Sequence, residues 1–191
     1  MKLLQKVWPV GLAMVLSILP IAAFADTGFL GSIPSPLMGV SHLFLLLGLG
    51  MWIFLQDSKC CHSLILFTLL VAVLGVFLGG ILPVSILGVS VVALLLVLMG
   101  VVIVTQLKIH HIAGIVLSIV IGFFITSGIG GIALTATAVL GVIGMLIGVF
   151  LGVASGFGTH ALLKDVLKGK LIMLIGIMIG LVGLLKLFAI M

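Results

Sequence analysis

The chain has 191 residues, of which 64% are hydrophobic and only 6% are charged, and its formal net charge is +5. Because a soluble domain carries about 25% charged residues, this composition excludes a soluble globular protein and predicts a polytopic membrane protein. All eight basic residues are lysines dispersed along the chain. The positive charge therefore does not indicate nucleic-acid binding, and the bilayer is the expected partner.

The first 25 residues have the features of a secretory signal peptide. Lys2 and Lys6 precede an apolar stretch over residues 7–21, and Ala23-Phe24-Ala25 forms a small-x-small cleavage site. Residues 1–25 are thus expected to be removed, and residues 26–191 to form one transmembrane domain whose N-terminus lies outside the cytoplasm. If the leader is retained, it adds a seventh helix.

Six apolar runs of membrane-spanning length follow one another with short connections, so we expect an all-α bundle of six transmembrane helices. The connections leave no room for a separate soluble domain. The predicted spans cover residues 36–55, 64–80, 85–105, 112–127, 132–155 and 171–188.

The lysines predict the orientation of the bundle. The connections over residues 56–63, 107–111 and 156–170 contain five lysines, whereas residues 81–84 and 128–131 are uncharged. By the positive-inside rule, the lysine-bearing connections face the cytoplasm of a bacterial inner membrane. Lys186, near the end of the last span, is the exception, and we expect its side chain to extend toward the outer interface.

Small residues predict how the helices pack. In lipid, apolar side chains gain little by leaving the bilayer, so helices associate where small residues let their backbones approach. Glycines recur at four-residue spacing on the second, fifth and sixth spans, and two interpretations stay open: close packing, or the lining of a narrow path. The glycines are Gly75 and Gly79, then Gly144, Gly148 and Gly152, then Gly176 and Gly180.

His42 is the ionisable side chain that lies well inside the first span. Ser35, Met38 and His42 are spaced i, i+3 and i+7, so one helical face would present them, with Ser41 at its edge. Imidazole, thioether and hydroxyl groups together suit a late transition metal ion of the softer kind. The alternative is a neutral histidine that forms a hydrogen bond to a neighbouring helix.

Three sequence segments resemble the opening of the hydrogenase/urease accessory (HupE/UreJ) proteins, a family of nickel or cobalt permeases. The segments are ADTG at residues 25–28, SPLMGVSHL at 35–43 and GLGMW at 48–52. The family typically shows A-H-T-G after the leader, then H-P-x-x-G-x-D-H on the first span, then G-L-W. The resemblance implies a six-helix membrane protein that transports a transition-metal ion.

This chain departs from the family pattern at most of the ligand positions. Asp26 and Ser35 stand where the family has histidine, and Ser41 stands where it has aspartate. The stretch over residues 122–128 has no histidine where the family is rich in H-G pairs, and Gly141 replaces another family histidine. Of the motif's ionisable ligands, only His42 remains.

Cys60, Cys61 and His62 form a second polar cluster in the first cytoplasmic connection. Thiols stay reduced in the cytoplasm, so these side chains would be free to receive a soft metal ion or an acyl chain. No catalytic constellation is present, because the chain has three acidic residues and no serine with a neighbouring base and acid. We therefore do not expect an enzyme.

Two functional hypotheses follow. The first is a permease for a transition-metal ion such as nickel, cobalt or copper, with Ser35, Met38, Ser41 and His42 at its outer entrance. The second is a non-transporting accessory subunit that packs against other membrane subunits or against further copies of itself.

Overall fold

A computed structural model describes residues 32–33, 35–56, 58–79, 85–108, 110–127, 138–163 and 169–190. All regular structure in these ranges is helical. The predicted signal peptide, Asp26 and the uncharged connections at 81–84 and 128–131 lie outside the described residues.

The described part of the chain forms seven helices. A single-turn helix is followed by six apolar helices of 16 to 26 residues. They are α1 (Ser35–Met38), α2 (Val40–Leu55), α3 (Ser58–Gly79), α4 (Ser85–Thr105), α5 (His111–Ser127), α6 (Ala138–Leu163) and α7 (Lys170–Ile190).

Two predicted connections are too long, because the neighbouring helices continue into them. Helix α3 begins at Ser58 rather than near residue 64, so Cys60, Cys61 and His62 are helical. Helix α6 continues to Leu163 rather than ending near residue 155. Polar residues at a helix end shorten the apolar stretch without interrupting the backbone hydrogen bonds, so hydropathy alone predicts a start that is too late for α3 and an end that is too early for α6.

The first predicted span is also not one regular helix. Gly39 separates α1 from α2, and its backbone is extended, with φ −83° and ψ 119°. Pro36 occupies the first turn of α1, where its missing N–H costs nothing. The prediction that Ser35, Met38 and His42 share one regular helical face is therefore wrong, since the helix is interrupted between Met38 and His42.

Helix contacts show that successive helices run in alternating directions. Helices α2 and α6 are parallel, because Gly148 approaches Ile33 and Phe54 stacks on His160. Helices α4 and α7 are antiparallel, because Gly183 contacts Val97 and Gly176 contacts Val104. The bundle thus has two ends, which we name by residue: α2 begins at the His42 end, and α3 begins at the Cys60 end.

Helices α3 and α5 form the third close pair and run parallel. A Cβ on Gly114 would contact Leu64 at the Cys60 end, and a Cβ on Gly79 would collide with the backbone of Ser127 at the other end. Trp52 links α2 to the end of α4 by donating a hydrogen bond to the Leu107 carbonyl at 3.2 Å. Each of the six longer helices, α2 to α7, therefore runs from one end of the bundle to the other.

The predicted close packing at glycines is confirmed for most of the positions. A Cβ on Gly75, Gly79, Gly148 or Gly152 would come closer than 3 Å to an atom of a neighbouring helix or segment. A Cβ on Gly176 would lie 2.9 Å from Ile103 and from Val104. At these positions the glycine backbone packs directly on the backbone or a side chain of a neighbouring segment. A larger residue would push the two segments apart or displace the neighbouring side chain.

The outer surface of the bundle is as apolar as its core. On α3, Leu66, Leu70, Leu74 and Phe77 recur at helical spacing and are each about half exposed, while Leu64, Val71 and Val76 face inward. Helices α3 to α7 each expose large apolar side chains, which a lipid environment favours and water would penalise, whereas α2 lies inside the bundle with only Val40 exposed.

Three helices are long and apolar enough to cross a membrane by length and composition: Cys60–Gly79, Val139–Leu163 and Lys170–Ala189. Three further apolar helices are shorter, Val40–Leu55, Val89–Thr105 and His111–Ser127. At 1.5 Å per residue, the 16-residue helix α2 is about 24 Å long, somewhat less than the bilayer core. The architecture is consistent with a helical membrane protein.

Candidate functional site

A hydrogen bond between the first and last long helices defines the polar site at the His42 end. Lys186 Nζ on α7 donates to Ser41 Oγ on α2 at 2.6 Å, across 145 residues of sequence. Both side chains are partly buried. The sequence predicts that Lys186 extends toward the outer interface, whereas in the structure its ammonium reaches a hydroxyl in the first turn of α2. A charge-assisted bond of this length is among the stronger protein hydrogen bonds.

His42 follows Ser41 and lies partly buried beside the same ammonium. Its ring folds back over Gly39, so that a Cβ at Gly39 would collide with His42 Nδ1. Helical side chains point toward the preceding turn, and the absence of a side chain at Gly39 leaves space there for the imidazole. Lys186 is close enough to His42 for their electrostatic interaction to matter. Ser41, His42 and Lys186 thus form one cluster, which we call the outer-turn cluster.

The structure describes the side chain of only one of the other two predicted ligands. Ser35 Oγ donates to the Ser32 carbonyl at 2.7 Å, so its hydrogen is used within its own segment. Met38 lies at the end of α1, and its side chain is outside what the structure describes. Within the described ranges, no group of three or more His, Cys, Asp and Glu residues could hold a metal ion.

Among the described residues, the outer-turn cluster carries one formal charge. The three acidic side chains of the sequence, Asp26, Asp57 and Asp165, lie outside the described residues. Only the ammonium of Lys186 brings a formal charge to the described cluster. A lysine in an apolar helix is costly to place, and the bond to Ser41 gives its ammonium a hydrogen-bond acceptor.

Below the cluster, the interior of the bundle is filled with apolar side chains. Leu45, Leu46 and Leu49 on α2 are fully buried, and Met99 and Ile179 pack in the same core. Gly152 of α6 lies against Leu46, which brings the two helices together directly beneath His42. In this conformation the described residues place tight apolar packing between His42 and the Cys60 end.

At the Cys60 end, the predicted cysteine–histidine cluster lies in the first turn of α3. Cys60 and Cys61 are free thiols of intermediate exposure, and His62 is exposed. Successive helical residues point about 100° apart, so three in a row cannot converge on one ion by themselves. Cys61 packs against the apolar core, whereas His62 faces outward. His110 and His111, at the start of α5, are also exposed.

His160 is a buried residue that the sequence analysis placed in a connection. Its ring is 4% exposed and stacks on Phe54 with centroids 4.7 Å apart. Phe54 in turn makes an edge contact with Phe157 at 4.8 Å. The four-residue glycine spacing continues from Gly152 to Gly156, and that signal predicts that α6 extends to His160. The stack ties the end of α2 to the end of α6.

Buried hydroxyls elsewhere in the bundle mostly use their own helix. Thr68 Oγ1 donates to the Leu64 carbonyl and Thr126 Oγ1 to the Gly122 carbonyl, both at 2.8 Å. Such back-bonding is the usual way in which a membrane helix accommodates threonine. These residues require no ligand to explain their burial.

An apolar groove of about 280 Å³ runs between α4 and α7. Val101, Ile177 and Leu181 in its walls are about half exposed at the bundle surface. The groove therefore opens toward the surrounding lipid rather than toward the outer-turn cluster.

Together, the fold and the composition define the class: the described residues are consistent with a helical integral membrane protein that contacts the lipid bilayer. At a finer level, no protein-family model, no curated protein and no solved structure matches this chain.

Proposed function

We propose that this chain is a small membrane permease that handles a transition-metal ion, with His42 at its outer entrance. The observation that carries the proposal is the position of His42, a partly buried imidazole in the first turn of a membrane helix, beside Ser41. An ionisable group at such a position is typically functional, because it costs more free energy in a membrane helix than an apolar side chain would. The resemblance of residues 35–43 to the HupE/UreJ motif supports the same reading.

The proposed topology places six helices across a bacterial inner membrane. The alternating helix directions support six crossings, and Lys108 and Lys170 both lie at the Cys60 end, exposed. The positive-inside rule then puts the Cys60 end in the cytoplasm and the His42 end outside. Nickel, cobalt or copper would arrive at the outer-turn cluster, and Cys60, Cys61 and His62 would lie where an ion leaves.

A second candidate is a non-transporting accessory subunit, and two observations favour it. The ammonium of Lys186 already occupies Ser41, and the core beneath His42 is closed by leucines. A protein that has kept the bundle but lost transport would show both features. Its apolar outer faces would then pack against other membrane subunits or further copies of itself.

Ion uptake into proteoliposomes tests the permease. The experiment compares the natural chain, His42→Ala and the control His110→Ala, whose histidine is exposed at the opposite end, with radiolabelled nickel, cobalt and copper. We expect uptake by the natural chain and the control and a loss of at least about tenfold in His42→Ala, because the imidazole is the one strong donor remaining. Uptake no greater than in empty vesicles for every ion would reject the permease.

The accessory subunit makes a different prediction. Purification in mild detergent would then retain stoichiometric partner subunits, and uptake would be absent. A protein that purifies alone and transports would exclude this second candidate.

A further inference from the structure

The lysine at the end of α7 is the feature of the outer-turn cluster that the proposed function does not use. Lys186 is surrounded in sequence by apolar residues, in the segment LLKLFAI at 184–190. Its side chain nevertheless turns toward α2 and donates to Ser41 Oγ at 2.6 Å. Because its ammonium rests on Ser41 beside His42, Lys186 brings a positive charge to the place where an incoming cation would bind.

The ammonium and an incoming cation need the same atom. The Ser41 hydroxyl oxygen is the acceptor of the Lys186 hydrogen bond, and an ion held by His42 would use that neighbouring oxygen as a further donor. Two positive charges a few ångströms apart also repel strongly where the surroundings are apolar. While Lys186 rests on Ser41, the cluster therefore opposes a second cation.

A second conformation is open to the Lys186 side chain. Its four-carbon stem is flexible, and Lys186 is close to the end of α7, so the ammonium can extend to the interface while the stem stays on apolar surface. The two positions differ in whether Ser41 and the space beside His42 are occupied. A side chain that blocks the site in one conformation and leaves it open in the other acts as a gate.

We infer that Lys186 is a tethered cation that occupies the outer-turn cluster and must leave Ser41 before a metal ion can bind beside His42. This inference rests on the proposed permease. It names Lys186 as the residue that sets which cations enter: only ions that bind His42 and Ser41 strongly enough to displace the ammonium are accepted.

Metal binding to the full-length protein in lipid nanodiscs tests the inference. Nickel, cobalt and copper are titrated into the natural chain, Lys186→Leu, Lys186→Arg and the control Lys170→Leu. Leucine is chosen because it removes the charge without adding a ligand. Lys170 is an exposed lysine at the other end of the same helix, so its loss changes the net charge equally.

We expect Lys186→Leu to bind at least one of the ions about tenfold more tightly or better, because the competing charge is gone. Lys186→Arg should bind no more tightly than the natural chain, and Lys170→Leu should match it. If Lys186→Leu does not give a monodisperse helical protein, Lys186→Ala is titrated in its place.

The outcomes separate the two claims. Binding that is equal in the natural chain and in the charge-free Lys186 variant, and that is weakened by His42→Ala, overturns the tethered cation and leaves the permease standing. Equal tightening by Lys170→Leu would also overturn it, since net charge alone would then explain the gain. Absence of binding in every variant overturns both claims.

Discussion

The backbones of Gly100 on α4 and Gly180 on α7 lie in direct contact, but the contact is not symmetrical. A Cβ on Gly100 would lie 2.6 Å from the Gly180 Cα, whereas a Cβ on Gly180 would lie 3.7 Å from the Gly100 Cα. The first distance is a clash with backbone and the second is an ordinary van der Waals contact. This crossing holds α7, and with it Lys186, against the rest of the bundle.

The asymmetry predicts different effects for two equivalent substitutions. Gly100→Ala should destabilise the bundle by about 1–3 kcal/mol, because the methyl group forces α4 and α7 apart. Gly180→Ala should change stability by less than about 0.5 kcal/mol. Unfolding of both variants in bicelles measures the difference. Equal effects of the two alanines would contradict the described crossing.

Gly39→Ala should displace the His42 ring without unfolding the protein. The new Cβ would collide with His42 Nδ1, and a terminal ring can rotate away where a backbone could not. The matched control is Gly48→Ala on the same helix, where the nearest atoms are isoleucine methyl groups at 3.4 Å. The carbon-13 signal of the His42 ring, assigned through His42→Gln, should shift in Gly39→Ala only. An unchanged signal would mean that the ring does not cover Gly39.

Trp52 should stabilise the bundle chiefly through its packing. Its indole is fully buried and donates to the Leu107 carbonyl, which is near the exposed end of α4. Trp52→Phe removes the hydrogen bond and the part of the indole volume that a phenyl ring does not fill, and should cost about 1–3 kcal/mol, since water can reach the freed carbonyl. Trp52→Ala should cost about 3–5 kcal/mol by leaving a cavity. Reversible unfolding in bicelles provides both values, and a larger loss in the phenylalanine variant would contradict this order.

Cysteine labelling tests the proposed orientation. In a background with Cys60→Ser and Cys61→Ser, Val40→Cys places a thiol at the His42 end, where the native side chain is 65% exposed. His110→Cys places an exposed thiol at the Cys60 end. A membrane-impermeant maleimide added to spheroplasts should label the first and reach the second only after permeabilisation. The reverse pattern would invert the topology.

The sequence predicts the helices of this protein better than it predicts their ends. Hydropathy locates all six apolar helices, and α4 (Ser85–Thr105) agrees with its predicted bounds. Hydropathy misplaces the helix ends where polar residues lie inside a helix, as at Cys60 in α3 and His160 in α6, because membrane helices continue beyond the apolar layer. The break at Gly39 was also missed, since one glycine in an apolar run does not reveal an extended backbone.

The sequence predicts only part of the candidate site, and the cause is physical. His42 and Ser41 are neighbours in sequence, so periodicity could select them together. Lys186 reaches them from the other end of the chain, and its role depends on an antiparallel contact that no local pattern contains. The predicted topology contains one indication that Lys186 lies near Ser41: with six crossings, the end of the sixth helix and the start of the first lie on the same side of the membrane. The metal-binding role of Ser35, Met38, Ser41 and His42 stays a prediction.

The bond between Ser41 and Lys186 also has a consequence for biogenesis. Its partners are 145 residues apart, so the first long helix is inserted well before the last one has been synthesised. Until α7 leaves the ribosome and docks, the hydroxyl of Ser41 and the imidazole of His42 have no ammonium beside them. The contact between Ser41 and Lys186 therefore forms only after α7 has been synthesised. A chain that ends before α7 would leave the first turn of α2 without its lysine contact.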